Sequence, residues 1–255
     1  MHALLPLAIG LVALLYASVG HAGATGYIAV MTLLGLTAPV IRPTALVLNV
    51  IVATIASLQF IRAGHFRGRL FWPLAVASVP CAFVGGAITL PTAAFEAVLG
   101  GLLLASAARM LLDARRQPSA DASASTAEPL QTMRPPMLWA VIGGVIGFLS
   151  GLTGVGGGVF LTPALVALGA APLKTIAAVT APFILVNSLA GLGGGLLAGR
   201  PFPATGLPVI AAAVLGGTLG SHFGAFRLPA STLRLLMAAV LAFASVKLLG
   251  RPLGL

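Results

Sequence analysis

Gly151-Leu152-Thr153-Gly154-Val155-Gly156-Gly157-Gly158-Val159-Phe160-Leu161-Thr162-Pro163 places a glycine-rich turn and a proline inside a strongly apolar run. A related turn, Ser18-Val19-Gly20-His21-Ala22-Gly23-Ala24-Thr25-Gly26, stands near the start of the chain. In hydrocarbon, backbone N–H and C=O groups must be paired within a helix or a closed barrel. Irregular chain survives there only where it is buried in protein or lines a cavity. Paired interruptions in corresponding halves of a chain point to a transporter binding site.

Composition puts the chain in a bilayer. Of its 255 residues 59% are hydrophobic and only 7% charged, against about 25% charged in a soluble domain. The mean hydropathy is +1.10. The apolar runs are helix-length, and strand-length alternation is absent, which argues against an outer-membrane barrel. The formal charge of +10 is scattered over segment ends with no aromatic-basic surface, so no nucleic-acid partner is expected. The single cysteine, Cys81, excludes a disulfide framework within one chain and reads as a small packing residue. Leu4 to Val19 followed by Gly20-His21-Ala22 imitates a signal core with a cleavage site. No Lys or Arg precedes that core, and the pattern recurs at 141–154, so residues 1–19 are expected in the mature fold.

The stretch from Arg115 to Pro129, rich in Ser, Ala and Pro, divides the chain and reads as a linker. Three units follow: an N-terminal transmembrane repeat at 1–113, a cytoplasmic linker at 114–135 and a C-terminal transmembrane repeat at 136–255. Apolar segments are expected at 3–19, 23–37, 42–61, 70–89 and 93–112, then at 137–151, 155–171, 174–196, 204–223 and 229–248. Each half runs apolar segment, glycine break, short apolar piece, then longer segments. Basic clusters at Arg62, Arg67 and Arg69 and at Arg109, Arg115, Arg116 and Arg134 face the cytoplasm by the positive-inside rule. The same count puts Lys174 and Arg227 inside, Arg200 outside and both termini outside. An odd number of crossings per half makes the repeats antiparallel. The expected fold is therefore all-α: a polytopic membrane helix bundle of two inverted repeats with broken or re-entrant helices.

The four acidic residues, Glu96, Asp113, Asp121 and Glu128, lie near span ends or in the linker. Without a carboxylate deep in a span, a carboxylate proton relay, a Mg²⁺ or Ca²⁺ site and a paired acid-base hydrolase all lack their chemistry. No catalytic residue, metal site or cofactor is expected. An anion suits such an interior, because nothing there repels it. Helix N-termini offer unpaired N–H groups and partial positive charge, and glycine lets backbone approach a ligand. The candidate substrate-binding residues are Thr153, Gly154, Gly156, Gly157 and Gly158 from the second break. His21, Thr25 and Gly26 come from the first, and Asn49 and Asn187 from long spans. Each asparagine can donate to an anion or hold two helices together. Gly143, Gly147 and Gly151, and likewise Gly216, Gly220 and Gly224, read as packing stripes.

The Gly-Leu-Thr-Gly-Val-Gly-Gly-Gly break at 151–158 with Pro163, the segment around Thr175 and Thr180, and the weaker first copy together resemble the TauE/SafE, or sulfite exporter, family of membrane permeases. The likeness covers all of the chain but the linker. In the first copy His21, Ala22, Ala24 and Thr25 stand where Thr153, Gly154, Gly156 and Gly157 stand in the second. The resemblance implies transport of a small anion, such as sulfite or a sulfonate. The leading reading is a multi-pass secondary permease of the bacterial inner membrane, working by alternating access around the paired breaks. Its partners are the anion and the lipid bilayer. The alternatives are a membrane-embedded enzyme acting on lipid phosphate and a non-transporting scaffold.

Overall fold

The computed structural model describes residues 4–36, 38–88, 135–202, 205–229, 232, 235 and 236. The expected segments 93–112 and 229–248, the linker 114–135 and all four acidic residues lie wholly or almost wholly outside them. The described residues form eight α-helices and no strand: α1 (Leu4–Ser18), α2 (Ala24–Leu33), α3 (Ala38–Arg62), α4 (Gly68–Ala87), α5 (Pro136–Thr153), α6 (Gly158–Ala167), α7 (Leu173–Leu197) and α8 (Leu207–His222). A π-helical turn, Phe223–Arg227, continues α8.

Length sorts these helices. Spanning hydrocarbon takes roughly 20 apolar residues, and five segments are long and apolar enough: Val40–Arg62, Gly68–Ala87, Pro136–Thr153, Leu173–Leu197 and Leu207–Arg227. Helices α2 and α6 have 10 residues each, about 15 Å at the helical rise, half the thickness of the core. Several expected boundaries move: the segments expected at 23–37 and 155–171 shorten to Ala24–Leu33 and Gly158–Ala167. The third segment starts at Ala38 rather than at 42, so Arg42 and Pro43 lie inside α3. A charge that reads as a flank is lodged within the helix.

Small residues decide how the helices meet. Between lipid-immersed helices no hydrophobic driving force acts, so close backbone approach must supply the stability. The expected stripes do this. A Cβ on Gly143, Gly147 or Gly151 of α5 would overlap the carbonyl oxygens of Leu74, Ser78 and Ala82 of α4. A Cβ on Gly216 or Gly220 of α8, or on Gly224 just beyond it, would overlap those of Gly10, Leu14 and Ser18 of α1. The most extensive interfaces, α4 with α5, α1 with α8, α4 with α7, α3 with α7 and α3 with α8, all join an N-terminal helix to a C-terminal one. The described helices of both halves thus share one core. Leu4, Leu7 and Leu11 of α1, Trp72 and Val76 of α4, Val141 and Val145 of α5, and Leu215 and Leu219 of α8 are exposed. Their three- and four-residue spacing marks faces turned to lipid, with α3 and α7 further inside.

His65, in the turn between α3 and α4, is half-buried. Burial and the charge of Lys174 hold its imidazole below the ordinary range, and the hydrogen bond with the Ala225 backbone works against them. The folded chain binds this proton less readily than the unfolded chain, whose histidine titrates near ~6.5. The linked stability is complete above that value and is lost as pH falls through the folded one. His65→Gln is expected to flatten the acid-side fall in melting temperature, measured in detergent between about pH 7.5 and pH 5.

Candidate functional site

The second break is built by glycine stereochemistry. Helix α5 ends on Gly154, whose left-handed backbone (φ 72°) returns its N–H to the Ser150 carbonyl at 2.9 Å. Gly156 and Gly157 also have positive φ, 80° and 81°. Three such residues within four positions reverse the chain, and only glycine adopts that conformation without strain. Helix α6 then begins at Gly158, and a helix leaves its first N–H groups without helical acceptors. Thr153 fastens the turn: its hydroxyl donates to the Ser150 carbonyl (3.2 Å) and accepts the Val155 N–H (3.0 Å). The hydroxyl proton expected to meet a ligand is thus in use locally.

The first break follows the same plan with fewer glycines. Gly20 and Gly23 have φ of 76° and 102°, and α2 starts at Ala24. Counted from the first residues of α2 and α6, Gly20 stands where Gly154 stands and Gly23 where Gly157 stands. His21 then matches Val155 and not Thr153, two residues from the pairing the sequence suggests. Thr25 and Gly26 lie within the first turn of α2 and turn toward α1. The Thr25 hydroxyl donates to the Tyr16 hydroxyl at 2.9 Å, and Gly26 packs on Val12 and Tyr16.

The two breaks meet. His21 Nε2 lies 3.1 Å from the carbonyl oxygen of Gly158, the first residue of α6. Asn49 of α3 closes the second break from the other side. Its Nδ2 donates to the Val155 carbonyl (3.2 Å) and to Ser188 Oγ of α7 (3.4 Å). A Cβ on Gly156 would stand 2.5 Å from that Nδ2, so glycine is what admits the amide. A Cβ on Gly158 would collide with Ile184. Asn187 is placed differently. Its Nδ2 donates to the Phe183 carbonyl (2.8 Å), and its Oδ1 accepts the hydroxyl of Ser78 from α4. The two asparagines also differ in register. Asn49 is 11 residues past the start of the 25-residue α3, and Asn187 is 14 past the start of the equally long α7.

Several polar groups here are buried without a hydrogen-bond partner among the described residues: Asn49 Oδ1, Ser150 Oγ and the Tyr27 hydroxyl. Asn49 and Tyr27 are 0% exposed, as is Ser150. Orphaned groups of this kind cost about 1–3 kcal/mol each unless something pairs with them. Ser150 and Tyr27 are not among the residues the sequence singles out, although a hydroxyl in an apolar span is a visible signal. Ser150 backs directly onto the break, since a Cβ on Gly157 would lie 3.2 Å from its Cβ. Above the break a cleft of about 330 Å³, counting its open mouth, is lined by Arg42, Leu46, Gly151, Gly154, Gly191 and Arg200. Both arginines are half-buried, and Arg200 donates to the Ile88 carbonyl at 3.0 Å. No described residue is acidic, and the described residues hold no cluster of His, Cys, Asp and Glu fit for a metal.

The family described as sulfite exporter TauE/SafE matches residues 5–248. A protein of Sinorhizobium fredii (strain NBRC 101917 / NGR234) named "Probable membrane transporter protein y4hK" is 37% identical over 246 residues, covering 96% of this chain and 97% of its own length. No solved structure matches the chain. With a whole-length family match, a full-length relative of this identity and five apolar helices long enough to span a bilayer, the chain belongs to the sulfite exporter TauE/SafE family and is a multi-pass membrane protein of that transporter family.

Proposed function

We propose that this protein is a secondary permease for a small anion, a sulfur oxyanion or an organosulfonate, and that it works by alternating access. The observation that carries this is the meeting of the two breaks at His21 and Gly158, beside Asn49 and within a described interior that has no acidic side chain. Helix N-termini turned toward that point would attract negative charge. The substrate class rests on the sulfite exporters for which the family is named and on this chemistry. The halves are inverted repeats. In support, α2 matches α6 and α3 matches α7 in length. The partnering also repeats in mirror order, α1 on α8 as α5 on α4, and α3 on α8 as α7 on α4. Rocking of one half against the other would open the site to either face in turn.

The arginine cleft would be the mouth on one side. Arg42 near the start of α3 and Arg200 after α7 fall on the external face by the charge rule. The test is counterflow of radiolabelled sulfite, sulfate and ethanesulfonate in proteoliposomes. One anion is expected to exchange, and none exchanging would end the reading. Arg200→Gln is expected to raise KM about tenfold with kcat unchanged, as for one lost charge-assisted contact made on entry.

A further inference from the structure

We infer that His21 is the proton-binding site of this permease, so that a proton enters the site together with the anion. This rests on the anion-permease reading and names its coupling ion. Both ring nitrogens face carbonyl oxygens: Nδ1 is 3.3 Å from Val19 O and Nε2 is 3.1 Å from Gly158 O. Neutral imidazole has one N–H, so in that form one nitrogen turns a lone pair on an acceptor; imidazolium donates to both. The ring is 2% exposed, away from bulk solvent.

The charged form also needs a counter-charge, and none stands beside it among the described residues. Around the ring, α1 contributes Tyr16, edge-on at a centroid distance of 6.5 Å. Behind Tyr16, α2 contributes Thr25, bonded to its hydroxyl, and Tyr27, which packs on Gly23 and whose hydroxyl has no partner among the described residues. Helix α6 contributes the Gly158 carbonyl, and α7 brings Ala177 against Gly20. None of these is ionised at neutral pH, and among the described residues no charged side chain acts on His21. The two demands are met at once when a proton and an anion arrive together. The proton satisfies both carbonyls, and the anion neutralises the imidazolium in a medium where an uncompensated charge is costly. Each ligand thereby raises the affinity for the other, as linkage requires. The neutral ring remains the resting state, which lets the site empty.

The experiment is titration calorimetry of the purified protein with sulfate, ethanesulfonate and sulfite at pH 7, in buffers of different ionisation enthalpy. Wild type is expected to take up about one proton more per bound anion than His21→Gln. That difference cancels any proton carried by the anion itself. Equal proton counts in the two proteins, with anion binding intact, would overturn the coupling role and leave the permease reading standing. Failure of wild type to bind any of the three would remove both. If His21→Gln does not fold, imidazole ¹⁵N shifts of wild type decide. Double protonation of His21 on adding the anion supports the inference, and an unchanged neutral ring refutes it.

Discussion

Gly151→Leu is expected to leave almost no folded protein in the membrane. The Cβ alone would overlap the Ala82 carbonyl oxygen and stand 2.7 Å from the Gly86 nitrogen. Both are backbone atoms of α4, so no side chain can turn aside. Overpacking of a compliant core costs roughly 1–3 kcal/mol, and a helix-on-helix backbone contact falls at or beyond the upper end. Lipid offers little in exchange, because separated helices are already in an apolar solvent. Gly144→Ala, one residue beyond the stripe, is the control. Its Cβ would meet Cys81 Sγ at an ordinary 3.6 Å, and alanine is the better helix former by about 1 kcal/mol. Expression and melting temperature in detergent should fall steeply for the first variant and hold or rise for the second. Equal behaviour of the two would mean that the α4–α5 approach is not what holds these helices.

Asn49→Leu is expected to abolish anion binding. Leucine is close in volume, so helix packing survives, but Val155 O loses its donor inside the protein. That orphaned carbonyl costs about 1–3 kcal/mol and frees the break from α3. Asn49→Asp goes further, since it sets a carboxylate where a negative ligand is to lie. Asn187→Leu should behave differently, because its amide ties α7 to itself and to Ser78 of α4. Its loss should appear mainly in melting temperature and only secondarily in flux. Gly157→Leu is a poor probe of function, despite its place in the break. At φ 81°, with Phe183 and Ser150 already close, a leucine there strains the backbone and lowers stability whatever the break does.

Much of this was legible in residue order. The glycine stripes at 143–151 and 216–224 declared their packing role by four-residue spacing, and the break at 154–158 by a density no stripe needs. Asn49 was identifiable as an amide in the middle of an apolar span, with Gln59 nearer its end. What could not be read was which neighbour each polar group meets, because that depends on helices far apart in sequence. Thr153 and Thr25 look like ligand donors until their protons are found committed to Ser150 and Tyr16. Arg42, like Lys174, follows a short apolar segment in the sequence, a place that suits an interfacial anchor or a vestibule that attracts anions. The helix instead begins earlier and carries the charge into the cleft. The pairing of the two breaks slipped by two residues because Ala22 and Ala24 imitate the small residues of the second copy. Only the left-handed positions, Gly20 and Gly23 against Gly154 and Gly157, fix the register.

The central claim is that the site where the breaks meet holds a small anion. Its most direct test is thermal stabilisation of the purified protein by sulfite, sulfate, thiosulfate and ethanesulfonate, beside Asn49→Leu and a lipid phosphate. A ligand bound only by the folded state stabilises it by about 2.7 kcal/mol at a hundred times its Kd. A concentration-dependent rise in melting temperature is expected for one sulfur oxyanion or sulfonate in wild type and none in folded Asn49→Leu. A rise with lipid phosphate alone, or an equal rise in both proteins, would contradict it.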